Sequence, residues 1–283
     1  MPIVKPYRSS IIKPYQPLPN TGLIGHGLIG LWSMGEGGGT TVFDALGTRN
    51  AIYEGSSPTW GNSYVPYITL DGSTNYLNCG TNQPFFDIVT TGGFSVLCWV
   101  YPTAFSNSYN TLGFSEGGGS AFDWEILIKS TGVPAMYFSS GDQDPSGTVA
   151  LTLNKWNHVG FSLGPRSGLN VYINGVITAN SGFGSYNLST HAAYHTYFGG
   201  NSEFNSRWFT GRLGPCAVWQ RELGADEVGI LYRDPEALYA PTTNIWGVKG
   251  IAPPPYFPYP PKNSVRLLYN DELSPIEEWT YSV

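Results

Sequence analysis

The feature that most constrains this chain is the regular spacing of turn-forming residues in its central part. Short runs of β-branched and aromatic residues there end in glycine, asparagine, aspartate or serine. Runs of about four to eight apolar residues between such turn formers are typical of antiparallel β-sandwiches. The dipeptide Asn174-Gly175 lies between two such runs, residues 171–173 and 176–177. Because both central positions of a type I′ turn need positive φ angles, this dipeptide predicts a tight hairpin. The chain is therefore predicted to be all-β.

Other runs predict the remaining strands. Residues 94–101 are apolar on both faces and predict a central strand. In the run at 123–129, three apolar residues alternate with three charged ones: Trp124, Ile126 and Ile128 with Asp123, Glu125 and Lys129. This alternation predicts a strand with one buried face and one solvated face. Further strands are predicted at residues 156–163, 169–174 and 209–219.

One short helix is predicted, at residues 225–233. Val228, Leu231 and Tyr232 follow helical spacing, and acidic residues stand in the first turn. Acidic side chains favour the amino end of a helix, and Pro235 is expected to end it. The helix follows the last predicted strand of the domain.

The balance of charge argues against one class of partner. Charged residues make up only 12% of the chain, against roughly 25% in an average soluble domain. The net charge is −6, and because Lys5, Arg8 and Lys13 stand near the start without any acid, the acidic excess lies in the rest of the chain. Nucleic-acid binding depends on clustered lysine and arginine. A nucleic-acid partner is therefore not expected.

Both ends of the chain are rich in proline. The tripeptide Lys-Pro-Tyr occurs at residues 5–7 and again at 13–15, and residues 253–261 form a second segment of proline and aromatic residues. Proline removes a backbone donor and fixes φ, so such segments predict extended arms outside any sheet interior. The predicted organisation is an arm at residues 1–22, a β-sandwich at 23–240 and a C-terminal arm at 241–283.

Five motifs occur in a characteristic order along residues 28–235. They are Tyr67-Ile68-Thr69-Leu70-Asp71-Gly72, Phe94-Ser95-Val96 with Trp99-Val100, Trp156-Asn157-His158-Val159, Val171-Tyr172-Ile173-Asn174-Gly175, and Gly211-Arg212-Leu213-Gly214 leading to Val218-Trp219. In this order they resemble the laminin-G-like, concanavalin A-like lectin and glucanase superfamily. The resemblance implies an antiparallel jelly-roll β-sandwich with a short helix near its C-terminal end. This architecture hosts lectins, adhesion modules, hydrolases and virion proteins, so it leaves the function open.

The candidate catalytic residues are Asp123 and Glu125. A retaining glycosidase needs two carboxyl groups about 5 Å apart, and two residues that are two positions apart on a strand share a face at about 7 Å. The resembled glucanases carry acids at three alternate positions of one strand, whereas here Leu127 follows Glu125. We therefore predict that the two acids lie on a solvated strand face and that the chain is not an enzyme.

The candidate metal ligands are also few. Asp142 and Asp144 stand at alternate positions before a glycine, as in the first half of a calcium loop, but Leu153 occupies the position where that loop needs a carboxylate. A plain turn is predicted, with calcium as the alternative. His191 and His195 would lie about 13 Å apart on a strand, too far to share a metal. No cofactor or metal is predicted.

The remaining candidates have structural interpretations. His158 is predicted to be a hydrogen-bonded packing residue, and the glycine clusters at residues 36–39 and 116–119 are predicted to be turns, since neither has the Lys-Ser/Thr pair of a phosphate loop. Three aromatic residues could stack on sugars or belong to the core: Tyr109, Tyr186 and Trp208. The three cysteines are predicted to be buried free thiols: Cys79, Cys98 and Cys216.

The predicted function is that of a non-enzymatic structural or surface protein of a multi-subunit assembly, a phage virion component such as a capsid decoration or tail protein with a glycan-binding, lectin-like domain. Its expected partners are other copies of itself or neighbouring virion subunits, contacted through the arms. The expected location is the virion surface after synthesis in the host cytoplasm, because residues 1–22 resemble no export signal and the apolar run at 22–32 is too short to span a membrane. A carbohydrate-binding adhesin or extracellular lectin is the alternative, and a glycoside hydrolase is the third possibility.

Overall fold

The computed structural model describes residues 23–47, 49–81, 93–116, 122–138, 146–164, 167–181, 195–200 and 207–238. Within these ranges the chain forms two antiparallel sheets that pack into a sandwich, which confirms the predicted all-β jelly-roll class. The predicted arms at residues 1–22 and 241–283 lie outside the described residues.

The strands are numbered in chain order. They are β1 (Leu28–Trp32), β2 (Thr41–Val42), β3 (Ala51–Glu54), β4 (Thr59–Asn62), β5 (Pro66–Asp71), β6 (Tyr76–Asn78), β7 (Phe94–Ala104), β8 (Tyr109–Glu116), β9 (Phe122–Lys129), β10 (Pro134–Phe138), β11 (Asn157–Gly164), β12 (Gly168–Ile173), β13 (Val176–Asn180), β14 (His195–Phe198) and β15 (Thr210–Trp219). A 3-10 turn at Leu23–Gly25 precedes β1, and helix α1 (Ala225–Arg233) follows β15.

Long strands form the spine of the larger sheet. Its eight strands run in the order β13-β12-β11-β7-β15-β5-β4, and β1 also pairs with β15. Strand β7 lies along one side of β15, while β5 and β1 share the other side, beside the first and second halves of β15 respectively. The second sheet has seven strands in the order β10-β9-β8-β14-β6-β3-β2. The central position predicted for residues 94–101 is confirmed, because they lie in β7.

The predicted hairpin joins β12 to β13. Asn174 and Gly175 both have positive φ angles, 51° and 79°, as a type I′ turn requires. The side-chain Oδ1 of Asn174 accepts a hydrogen bond from the backbone N–H of His158 at 2.9 Å, and the Asn174 N–H donates to the His158 carbonyl at 2.8 Å. The turn is therefore tied to the neighbouring strand β11.

The core between the sheets is formed by inward-facing residues of both. Its largest members have almost no exposed surface, and burying an apolar side chain of this size stabilises a fold by about 1.5–3 kcal/mol. Among them are Trp32, Phe94, Trp124, Phe161, Phe198 and Phe209. The cysteines Cys79, Cys98 and Cys216 are buried and free, as predicted.

Helix α1 lies against the outer face of the eight-stranded sheet, and its bounds are those predicted. Val228 and Leu231 pack with Leu97 and Trp219 of the sheet. The carboxylate of Glu227 accepts a hydrogen bond from the N–H of Gly224 at 2.9 Å, which satisfies a free donor at the start of the helix. In the described part of the chain, no helix has the length and apolar character needed to cross a membrane.

Candidate functional site

The outer face of the eight-stranded sheet is divided into two halves. Helix α1 covers one half, and aromatic side chains with one arginine occupy the other. Strand alternation explains the arrangement, because Leu213 points into the core and the preceding Arg212 therefore points outward, opposite Tyr101 of β7. We call this open half the aromatic face. Its members are Tyr64, Tyr67, Trp99, Tyr101, Trp156 and Arg212.

An arginine held between two rings forms one end of the aromatic face. The Cζ atom of Arg212 lies 4.7 Å from the ring centroid of Tyr67 and 4.7 Å from that of Tyr101. A guanidinium group at this distance is attracted to the negative face of each ring. The Trp156 ring contacts both tyrosines, with centroid distances of 5.8 Å and 5.6 Å, and its Nε1 donates a hydrogen bond to Ser63 Oγ at 3.0 Å. The four side chains therefore fix one another in position.

A second aromatic group connects this end to helix α1. Trp99 is 4% exposed, and its ring lies 5.1 Å from Tyr64, 4.9 Å from His158 and 5.8 Å from Tyr232 of the helix. Tyr64 is 57% exposed and stands over Trp99. A Cβ atom at Gly214 would come within 3.0 Å of Trp99 and 3.2 Å of Trp156, so this glycine lets the two groups meet.

His158 lies opposite Trp99 on the neighbouring strand β11, between the aromatic face and Tyr232 of helix α1. Burial lowers its pKa to about 3, so the ring is neutral at physiological pH. It lines a cavity of about 20 Å³ with Trp99 and Leu231, and its Nδ1 atom has no hydrogen-bond partner among the described residues. A space of this size has room for about one water molecule and not for a sugar. The predicted packing role is confirmed, but the predicted hydrogen bonding is absent at Nδ1.

Glu125 corrects the prediction made for strand β9. Its side chain is fully buried, accepts a hydrogen bond from Thr111 Oγ1 at 2.6 Å and forms an ion pair with Arg207. Burial raises the pKa of Glu125, and the nearby Arg207 and Thr111 oppose that rise. Leu127 on the same face is also buried, so the predicted solvated face is wrong. The side chain of Asp123 lies outside the described residues.

The structure describes only part of the candidate metal ligands. Asp142, Asp144 and His191 lie outside the described residues. His195 begins β14, where its Nδ1 lies 3.2 Å from Asn78 Oδ1 and its ring stacks on Tyr197 at 5.7 Å. In the ranges that are described, no three histidine, cysteine or acidic side chains gather as a metal site would require.

The other candidates have structural surroundings. Glu36 Oε1 accepts a hydrogen bond from the Phe43 N–H at 2.7 Å, so this acid closes a turn, and burial raises its pKa. Tyr109 lies under the Arg207 guanidinium, and Trp208 is buried against Tyr76. Tyr186 and residues 117–119 lie outside the described residues. Neither Tyr109 nor Trp208 is an open platform for a sugar.

Sequence reasoning missed the aromatic face as a set. Tyr67, Tyr101 and Arg212 belong to three different strands, and only the order β7-β15-β5 brings them together. A signal was present, because Trp99 and Tyr101 alternate along one strand with a polar tip on the tyrosine. The apolar composition of that run nevertheless predicted burial on both faces.

The family sequence model of the concanavalin A-like lectin/glucanases superfamily matches residues 71–229, more than half of the chain. No curated protein matches the sequence.

Two kinds of solved structure share the fold. A Trypanosoma rangeli sialidase in complex with sialic acid is 17% identical with a TM-score of 0.57, and the match covers 76% of this chain and 34% of the sialidase chain. This chain thus spans about a third of the sialidase. Domain 4 of an extracellular arabinanase of glycoside hydrolase family 43 from Geobacillus stearothermophilus, in complex with arabinotriose, is 17% identical with a TM-score of 0.57. That match covers 72% of this chain and 98% of the arabinanase domain.

The comparisons correct the prediction that the chain is not an enzyme. Sialidase and arabinanase enzymes contain its fold, so the lack of a three-acid strand motif is no ground for excluding enzymatic activity. At 17% identity, the similarity between this chain and the sialidase is a similarity of fold.

Proposed function

Because the chain belongs to the concanavalin A-like lectin/glucanase superfamily, we propose that it is a carbohydrate-binding domain whose sugar site is the aromatic face. One observation carries the proposal. Arg212 is held between Tyr67 and Tyr101 with Trp156 beside them, on a sheet face that helix α1 leaves open. Rings and a fixed donor stand side by side there.

Sugars have the complementary chemistry. The C–H groups on one side of a sugar ring form an apolar surface that packs on an aromatic face, while its hydroxyl groups need hydrogen-bond partners at the edge. Trp156 and Tyr67 are partly exposed, and the guanidinium of Arg212 supplies donors. The arabinanase domain of similar fold holds arabinotriose in its solved structure, which supports this ligand class.

The binding test compares the two sheets. We expect the full chain to bind members of a glycan array, and we expect Trp156→Ala to weaken the dissociation constant of the best ligand by about tenfold, a loss of about 1.4 kcal/mol. Tyr137→Ala is the matched variant, because its ring lies on the outer face of the seven-stranded sheet. Loss of binding in Tyr137→Ala with full binding in Trp156→Ala would move the site to the other sheet.

The proposed setting is a multi-subunit assembly, a phage capsid decoration or tail protein displayed on the virion surface. The proline-rich sequences at residues 1–22 and 241–283 support it, because twenty residues of extended chain reach about 60 Å and can contact neighbouring subunits or other copies. Deletion of either segment should leave a folded chain that binds sugar and no longer incorporates into particles. Full incorporation of both truncated chains would contradict a role of these segments in assembly and would favour the alternative, a free adhesin or extracellular lectin.

Glycoside hydrolysis is a second candidate, and the environment of Glu125 favours it. Burial raises the pKa of Glu125 while Arg207 opposes that rise, and a buried carboxyl group in such surroundings is a candidate acid or base. Release of reducing ends from a bound glycan should then be lost in Glu125→Gln. Equal release by that variant and the wild type would exclude this residue as the acid.

A further inference from the structure

We infer that the aromatic face selects carbohydrates that carry a carboxylate, and that Arg212 is the residue that recognises it. The inference rests on the proposed function and names its ligand class. Its basis is the contrast between Arg212 and other arginines of the domain. Arg49 donates to a backbone carbonyl at 2.9 Å, and Arg207 and Arg221 pair with glutamates.

The charged group of Arg212 interacts with aromatic rings. Within the described ranges its guanidinium forms no hydrogen bond and no ion pair, and its contacts are the two faces of Tyr67 and Tyr101. A ring face attracts the charge of the guanidinium but cannot accept hydrogen bonds from its N–H groups as a carboxylate does. The donors at its edge are therefore available to a ligand.

The acidic residue closest to Arg212 along the strand pair β5 and β15 already accepts hydrogen bonds from its own turn. Asp71 stands opposite Thr210, two residues before Arg212. Its Oδ1 accepts hydrogen bonds from the N–H groups of Ser73 and Thr74 at 2.8 and 2.9 Å, and its Oδ2 accepts one from Thr74 Oγ1 at 2.8 Å. This carboxylate closes its own turn, so it does not neutralise Arg212.

The geometry favours a carboxylate over a hydroxyl group or a generic polyanion. A guanidinium fork matches the two oxygens of a carboxylate with two parallel hydrogen bonds, and the rings have already fixed its orientation. The chain as a whole carries a charge of −6, which disfavours densely charged polymers. A single fixed cation among aromatic rings suits an acidic sugar whose C–H face packs on Trp156.

The test uses the full chain and paired probes. An array presents uronate and sialate glycans, the same glycans as neutral methyl esters, neutral glycans, and sulfated glycans. We expect at least tenfold tighter binding to an acid than to its methyl ester. Arg212→Gln should abolish this preference, because it should weaken binding of the acid at least tenfold more than binding of the ester. Arg233→Gln, an exposed arginine of helix α1, is the matched control and should keep the preference.

The outcomes separate this inference from the proposed function. Equal binding of acid and ester, or equal binding of sulfated and carboxylated glycans, would overturn the inference and leave sugar binding intact. Binding of no glycan at all would overturn both. If Arg212→Gln fails to fold, salt gives a second measurement on the wild type. Raising the salt from low to high should weaken binding of the acid and not of the ester, because only the charged contact is screened.

Discussion

A small change at Gly61 tests the packing of the aromatic face without replacing any aromatic side chain. Gly61 of β4 lies opposite Tyr67 of β5, and its backbone is under the tyrosine ring. A Cβ atom at this position would lie 2.3 Å from Tyr67 Cζ and 2.4 Å from its hydroxyl oxygen. Gly61→Ala should therefore push the ring away from the sheet.

The size of the effect follows from these distances. Ordinary contact between carbon atoms is about 3.5–4 Å, so the Tyr67 ring must move by about 1 Å or more. The Arg212 to Tyr67 distance of 4.7 Å then approaches the limit of about 6 Å for a cation–π contact. Loss of that contact costs about 0.5–1 kcal/mol, which corresponds to about two- to fivefold weaker ligand binding if Arg212 must be held in place. The fold itself should lose at most about 1 kcal/mol, because the ring can move toward solvent.

The assay is titration calorimetry with the glycan that the wild type binds best, together with urea unfolding. Gly38→Ala is the matched control, because no atom lies within 4 Å of a Cβ atom there and it should leave binding unchanged. Wild-type affinity in Gly61→Ala, together with weak binding in Arg212→Gln, would refute the idea that the Tyr67 ring holds the guanidinium.

Three further changes test other parts of the structure. Gly175→Ala should lower the free energy of unfolding by about 1–2 kcal/mol in urea, because φ is +79° and the new Cβ would lie 3.0 Å from Tyr232; an unchanged midpoint would contradict the turn. Burial alone would raise the pKa of Asp71, but hydrogen bonds from its turn lower it to about 2. The wild type should therefore lose more stability than Asp71→Asn as the pH falls from about 4 to 2; parallel curves would argue against this. Glu125→Ala should lower the free energy of unfolding by about 3 kcal/mol, since it removes one member of a buried ion pair, and wild-type stability would show that the pair does not stabilise the fold.

The parts of the fold that depend on local chemistry were predictable from the sequence. Helix α1 has the predicted bounds because Val228 and Leu231 give its apolar side and acidic residues stand at its start. The Asn174-Gly175 hairpin follows from the positive φ angles that only such residues adopt readily. In both cases a few neighbouring residues decide the structure.

The parts that depend on distant segments were not predictable. Alternation correctly placed Glu125 on the face of β9 opposite the core, but it could not show that Arg207, 82 residues later, would cover it. Likewise Tyr67, Tyr101 and Arg212 form a site only because β15 lies between β5 and β7. This strand order depends on the packing of the whole sandwich, so no single sequence motif predicts it.

The most direct measurement of the central claim is a titration that reports on each tryptophan separately. The chain has nine tryptophans, and labelling their indole nitrogens with ¹⁵N gives a separate NMR signal for each N–H, with Trp156→Phe identifying its own. If the aromatic face binds the sugar, the Trp156 signal should move on titration with the best glycan. The signals of Trp124, which is buried in the core, and of Trp208, which packs against Tyr76 of the seven-stranded sheet, should stay in place. A shift of Trp208 with an unmoved Trp156 at saturating glycan would contradict the account.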